Sequence, residues 1–278
     1  MSPLSSWGLL GYDQTQVKEF ERFPKATDTT KRQLGKFIPV GAGRSYGDVG
    51  LNPGGLGVST SHLNKMLSFD EDLGVLECES GILIRDIQST FSSRGWISPV
   101  TPGTSFVTVG GAIANDVHGK NHHSMGSFGN HVLEIVLFRT NGDVLVCSES
   151  ENPEMFRATI GGLGLTGVIL SAKIKLAKIK SAWVQSEKKI FQDLAGFFEL
   201  SKDSEQNFES SVAWFDCSTR KAGRGSLTRG NHVYSDKESP DAPEYRLKFP
   251  LTPPFSLINR LSIRQINMAY FELQKLSR

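Results

Sequence analysis

Four glycine-rich stretches, each beside an apolar run, constrain this chain more than any other feature: Gly41–Asp48, Pro102–Gly111, Gly126–Asn130 (GSFGN) and Gly161–Gly167 (GGLGLTG). Glycine has no Cβ, so such stretches mark places where a backbone turns sharply or comes close to something. Taken singly, each is more often turn chemistry than a ligand loop; four together ask for a common cause. In the first, a strand over Phe37–Val40 feeds Gly41-x-Gly43-x-x-x-Gly47. The bare N–H groups of such a turn form a nest that holds phosphate oxygens without a lysine. It is not a Walker A loop, because no Gly-Lys-Ser/Thr follows. Nor is it the dinucleotide fingerprint, since the spacing differs and no βαβ unit with a downstream acidic residue is present.

Around these stretches the pattern is of mixed strands and helices. Leu56–Thr60 and Val75–Glu79 read as strands, and Ile84, Ile87 and Phe91 carry helical spacing within Ile82–Arg94, which Gly95 stops. His131–Phe138 and Asp143–Cys147 flank Thr140-Asn141-Gly142, a hairpin signal. Thr166–Ile179 alternates, with Ala172, Ile174 and Leu176 on one side and Lys173 and Lys175 on the other. A short helix is expected over Thr27–Gly35 within a polar stretch. Beyond residue 180, Trp183–Ile190 and Ser210–Phe215 read as strands and Phe191–Leu200 as a helix. Gly223–Pro254 reads as loop, and Leu257–Leu276 as a final helix. The fold class is α+β, with a boundary near Lys178 dividing residues 1–178 from 179–278.

Charge excludes one function class. The 31 basic and 29 acidic residues leave +2, too balanced for a protein that coats nucleic acid. No apolar run reaches 18 residues, so no membrane span is expected, and Met1–Asp13 has no basic-then-apolar leader. Cys78, Cys147 and Cys217 have neither disulfide nor zinc spacing, and the default expectation is a reducing, cytoplasmic compartment.

Four of the six histidines, His118, His122, His123 and His131, fall within 14 positions. His118 and His122 are four apart, as in a helical metal pair, but Gly119 separates them and no Asp, Glu or Cys has ligand spacing nearby, so no metal is expected. His122, His123 and His131 read as imidazoles bonded to backbone in an irregular loop. His118 differs, because it follows a small-residue run able to press against a flat ligand. An imidazole there and the Lys120 ammonium two residues on can handle a proton and stabilise negative charge.

The strings Val40-Gly-Ala-Gly-Arg-Ser-Tyr-Gly-Asp48, Pro102-Gly-Thr104, Thr108-Val-Gly-Gly-Ala-Ile-Ala114, His118-Gly-Lys-Asn-His-His123 and Gly126-Ser-Phe-Gly-Asn-His131 occur in that order. With Gly161–Ile169 and Ser211-Val-Ala-Trp-Phe-Asp216, the chain resembles the FAD-dependent oxidases of the vanillyl-alcohol-oxidase superfamily over about Phe37 to Asp216. Within that superfamily it is most similar to the branch acting on polyprenylphosphoryl ribose. The resemblance implies a PCMH-type FAD-binding domain of two α/β subdomains, followed by an incomplete substrate-binding domain built on antiparallel sheet. It implies that Pro39, Val40, Gly41, Ala42, Gly43, Arg44, Ser45, Tyr46, Gly47, Asp48 and Val49 wrap the FAD pyrophosphate. Gly103, Thr108, Val109, Gly110 and Gly111 would line the cofactor from the other side. His118, Gly119, Lys120 and Asn121 would follow its isoalloxazine and ribityl region, and Ile169 its adenine half.

In related sugar and alditol oxidases the Arg44 position is often a histidine bonded covalently to the flavin. Arginine cannot form that link, so FAD is expected to be non-covalent. Arg44 itself is either a phosphate partner or a solvated cation. The implied reaction oxidises a sugar secondary alcohol, the ribose 2′-hydroxyl, to a ketone, with hydride passing to flavin N5. His118 would handle the proton and Lys120 the charge. Tyr46 would shape the substrate pocket. Trp214 is either a sugar-side residue or a sheet-core aromatic.

The resembled enzymes are longer than 278 residues, and a lysine and a tyrosine near their C-termini have no match here. The expectation is a fragment of a longer product, or a truncated chain. Another flavin oxidase of sugars, alditols or aldonolactones, and a non-catalytic FAD-binding remnant, are the alternatives. By analogy an NAD-dependent short-chain reductase is an expected partner, and a lipid-linked substrate would bring the protein near a membrane surface.

Overall fold

Three short strands, β1 (Gln16–Glu19), β2 (Phe37–Val40) and β3 (Leu56–Ser59), run parallel in the order β1-β3-β2. The structure, a computed structural model, describes residues 4, 15–20, 37–218, 223–236 and 258–276. The helix expected over Thr27–Gly35 lies outside the described residues. The described residues form two units. The first takes those up to Gly119 together with Met125–Ile179; the second takes Lys120–Ser124 and those from Lys180 onward.

In the first unit a second sheet joins β4 (Met66–Asp70), β5 (Val75–Glu79), β9 (Val168–Lys175), β7 (Val132–Phe138) and β8 (Val144–Ser148), in that order and all antiparallel. The β7–β8 hairpin closes at Asn141-Gly142, where Arg139 N donates to Asp143 O at 2.8 Å and Gly142 takes φ 91°. Along β9 the alternation is realised: Ala172 and Ile174 enter the core, while Lys173 stays on the wet face and pairs with Glu134 at 2.9 Å. Helix α1 (Ile84–Phe91) buries Ile84, Ile87 and Phe91 against that sheet's core and gives way to a short 3₁₀ turn ended by Gly95. Full burial of each such side chain contributes about 1.5–3 kcal/mol. Strand β6 (Trp96–Ile97) pairs with β10 (Ala177–Lys178). Three further helices are short: α2 (Val109–Ala114), α3 (His122–Met125) and α4 (Pro153–Thr159).

The second unit holds an antiparallel sheet in the order β11-β13-β12, made of β11 (Val184–Phe191), β12 (Ser210–Asp216) and β13 (Arg224–His232). Helix α5 (Leu194–Asn207) is capped by Asp193, whose carboxylate accepts from Gly196 N at 2.9 Å. It packs Phe197 on Phe191 and Phe215 with ring centroids 5.5 and 4.7 Å apart. Helix α6 (Ile263–Leu276) buries Phe271.

One expectation needs correction. Residues 224–232 are not loop but the central strand of this sheet. Their sequence, RGSLTRGNH, lacks apolar alternation because the strand buries small residues, Gly225 and Ser226, and a neutralised cation. Arg229 is buried by pairing with Glu187 and Asp203 and lying 4.3 Å over the Phe208 ring. At the other end of the chain, Gln16–Glu19 form an edge strand too short for its pattern to be legible.

Candidate cofactor site

The first unit contains a cavity of about 480 Å³, within the range of small-molecule and cofactor pockets. Three of the four glycine-rich stretches line it. The turn after β2 contributes Pro39, Val40, Gly41, Ala42, Gly43, Arg44, Ser45, Tyr46 and Val49. Gly103, Thr108, Gly110 and Gly111 form the facing wall, with His118 beside them. Leu163, Gly164, Gly167 and Ile169 also line it.

Missing Cβ atoms let these walls meet. A Cβ on Gly41 would run into Thr108 Oγ1, and one on Gly110 would stand 2.9 Å from Ser80 Cβ. Thr108 is the N-cap of α2, its Oγ1 accepting from Gly111 N at 3.1 Å.

The N–H accounting separates the two glycine walls. In the first turn of α2 the donors are committed within the protein: Val109 N to Ile82 O, Gly110 N to Ser80 O, Gly111 N to Thr108 Oγ1. Across the cavity, Gly43, Ser45 and Tyr46 give their N–H to no group among the described residues. Donors for an anion therefore come from the β2 turn, with the exposed Arg44 beside it, and the facing wall supplies shape.

The fourth stretch, Gly126–Asn130, lines no part of the cavity. It anchors the segment that carries His118. Helix α2 ends in a left-handed Asp116 (φ 41°), with Val117 N returning to Ala112 O at 3.1 Å and Asp116 N to Ile113 O at 3.0 Å. This is a Schellman-type reversal with aspartate where glycine is usual. Its carboxylate then accepts from Gly129 N at 2.8 Å, and Phe128 N donates to Val117 O at 2.8 Å. His118, next along, is exposed at the cavity wall and bridges to Ser127.

Other residues expected at the site lie elsewhere. Val109 is wholly buried in the core. Gly47, Asp48, Gly119 and Asn121 are off the wall; the Asp48 and Asn121 carbonyls accept from Leu51 N and Ser124 N. Lys120 is exposed, its carbonyl accepting from Ser211 N at 2.8 Å within the second unit. Trp214, on β12, packs edge-on against Tyr270 with centroids 4.8 Å apart and stacks on Phe271 at 6.4 Å. The imidazoles of His123 and His131 each bond a backbone carbonyl, Phe208 O and Met125 O, at 2.8 Å. Among the described residues no three His, Cys, Asp or Glu gather as a metal site, and no helix is long and apolar enough to cross a membrane.

Sequence reasoning missed Ser80, Thr60 and Leu163 on the wall. The first two are hydroxyl residues at strand ends, Thr60 between two serines and Ser80 between Glu79 and Gly81, and give no signal. Leu163 holds φ 53°, a conformation costing a leucine about 1–2 kcal/mol, and sits inside a glycine stretch that did flag the place.

A cradle of close-packed glycine walls with unspent N–H donors on one side fits the diphosphate of a dinucleotide. Residues 21–148 match the family described as FAD binding domain. Several oxidases are similar to the chain. Decaprenylphosphoryl-beta-D-ribose oxidase of Mycolicibacterium smegmatis is 38% identical over 216 residues, covering 76% of this chain and 47% of that protein. L-gulonolactone oxidase of Mus musculus is 31% identical over 166 residues, 59% of this chain and 36% of that one. A putative D-arabinono-1,4-lactone oxidase of Neurospora crassa is 30% identical over 180 residues, 63% and 32%. The chain thus spans about a third to a half of the length of these curated relatives.

Proposed function

We propose that the chain is the flavin-binding part of an oxidase that converts a secondary alcohol of a sugar to a ketone, and that the sugar is a polyprenylphosphoryl-β-D-ribose oxidised at its 2′-hydroxyl. The observation that carries the reading is His118 at the wall of a cavity whose phosphate donors are unspent. The likeness to the mycobacterial ribose oxidase, which extends over 76% of this chain, supports the choice of sugar.

FAD, when bound, supplies the hydride acceptor. The β2 turn holds its diphosphate by backbone N–H groups, and Arg44 adds a cation there while leaving the cofactor non-covalent. The His118 imidazole takes the proton of the substrate hydroxyl. Tyr46, on the cavity wall, shapes the binding of the sugar. A reductase that returns the ketone to an alcohol of opposite configuration is the expected partner.

The test is anaerobic reduction of the purified, FAD-loaded protein. Polyprenylphosphoryl ribose should bleach the flavin absorbance while alditols and aldonolactones leave it unchanged. Bleaching by L-gulonolactone instead would move the substrate to the lactone-oxidase class.

A further inference from the structure

Ser80 follows β5 and has every backbone group engaged: its N–H donates to Leu170 O at 3.0 Å and its carbonyl accepts from Gly110 N at 2.7 Å. Its side chain is 1% exposed and belongs to the cavity lining, yet its Oγ is buried without a hydrogen-bond partner among the described residues. A buried hydroxyl left unpaired is a net loss that alanine, nearly the same size, would avoid. A water lodged there needs two to four polar partners, and the N–H groups of Val109, Gly110 and Gly111 in the turn packed on Ser80 are already committed. Ser80 is one of the residues lining the cavity, and Gly110 packs directly on it, a Cβ there standing 2.9 Å from Ser80 Cβ.

We infer that the Ser80 hydroxyl is a cofactor ligand that donates a hydrogen bond to an oxygen of the FAD diphosphate. The inference rests on this cavity being the FAD site. It adds a side-chain donor on the wall whose backbone donors are spent, opposite the β2 turn whose donors are free. The diphosphate is then held from two sides, and by a residue that lies in none of the glycine stretches.

The experiment compares the intact protein with Ser80→Ala by FAD titration, followed as quenching of flavin fluorescence, by melting of the apo protein, and by phosphorus NMR of the bound cofactor. The expected result is an FAD Kd raised about tenfold or more, the scale of a lost hydrogen bond to a charged acceptor. The apo protein should melt at the same temperature or higher, and at least one diphosphate signal should shift. Ser98→Ala is the contrast, because the buried Ser98 Oγ already donates to Val100 O at 2.9 Å; it should lower the apo melting temperature and leave Kd alone. An unchanged Kd for Ser80→Ala, unmoved phosphorus signals, or a less stable apo variant would each overturn the assignment. Wild-type protein that takes up no FAD would overturn the cofactor site and Ser80's role with it.

Discussion

Asp116 Oδ1 accepts the backbone N–H of Gly129 at 2.8 Å and so ties together the two ends of the segment carrying His118. Asp116 does this from a left-handed backbone, φ 41°, and Gly129 fits only because it lacks a Cβ, which would stand 2.8 Å from that oxygen and collide with Ile160. One side chain thus reverses the chain after α2 and fixes where His118 emerges.

Replacing Asp116 by alanine keeps the left-handed strain and removes the acceptor. Together these should cost about 2–3 kcal/mol in urea unfolding. Asp116→Asn tolerates the same backbone and keeps a carbonyl oxygen, so it should lose under about 1 kcal/mol. Equal losses for the two would show that the carboxylate does not hold this turn.

Gly41 lies where the β2 turn meets Thr108. Gly41→Val forces these walls apart, so the purified variant should emerge colourless while its far-ultraviolet circular dichroism matches wild type. Thr108→Val removes the N-cap oxygen of α2 and should cost about 1 kcal/mol of stability. Full FAD content in Gly41→Val would remove this contact from the cofactor cradle.

Much of this was legible in the sequence, for identifiable reasons. Ile84, Ile87 and Phe91 announce α1, and Asn141-Gly142 announces the β7–β8 hairpin, because in both cases local spacing and burial agree. Three glycine stretches point to the cavity since only glycine permits those approaches. The fourth looks the same in sequence yet serves Asp116, for no local pattern reports a partner 13 residues away. Strand β13 was hidden because, apart from Leu227, its buried positions hold glycine, serine and a paired arginine. Ser80 was invisible for the opposite reason: its significance is a missing partner, and only packing reveals that.

Thiol chemistry should separate the three cysteines. Cys78 and Cys147 are buried and Cys217 is exposed. Burial, reinforced by Glu77 and Glu79, pushes the Cys78 thiol up to about 12, and burial also raises Cys147. The thiolate is the reactive form, so iodoacetamide at pH 8 should add one label to the native protein, at Cys217, and three after denaturation. A second label at a comparable rate in the native protein would show that Cys78 or Cys147 opens to solvent.

Acid should weaken the second unit through Asp216. Burial alone would raise this carboxyl's pKa, but donors from Ser218 (Oγ 2.6 Å, N 3.0 Å), Arg224 (Nε 2.9 Å, Nη2 2.7 Å) and Asn267 (Nδ2 3.0 Å) outweigh it and hold it at about 2. Asn267 stands on α6, so the same carboxylate joins the β12–β13 pair to that helix. A folded-state pKa below the unfolded value of about 3.9 means the stabilisation is complete above about pH 4 and is lost as pH falls toward 2. Asp216→Asn leaves Arg224 facing a neutral group in a site where its side chain is only 21% exposed. At pH 7 it should therefore cost about 3 kcal/mol, at the lower end for breaking a buried pair. Unfolding the full-length variant and wild type in urea at pH 7 and pH 2.5, followed by tryptophan fluorescence, should show the gap between them shrinking in acid. A gap of the same size at both pH values would mean that the charge of Asp216 contributes nothing and that its hydrogen bonds alone hold β12 to α6.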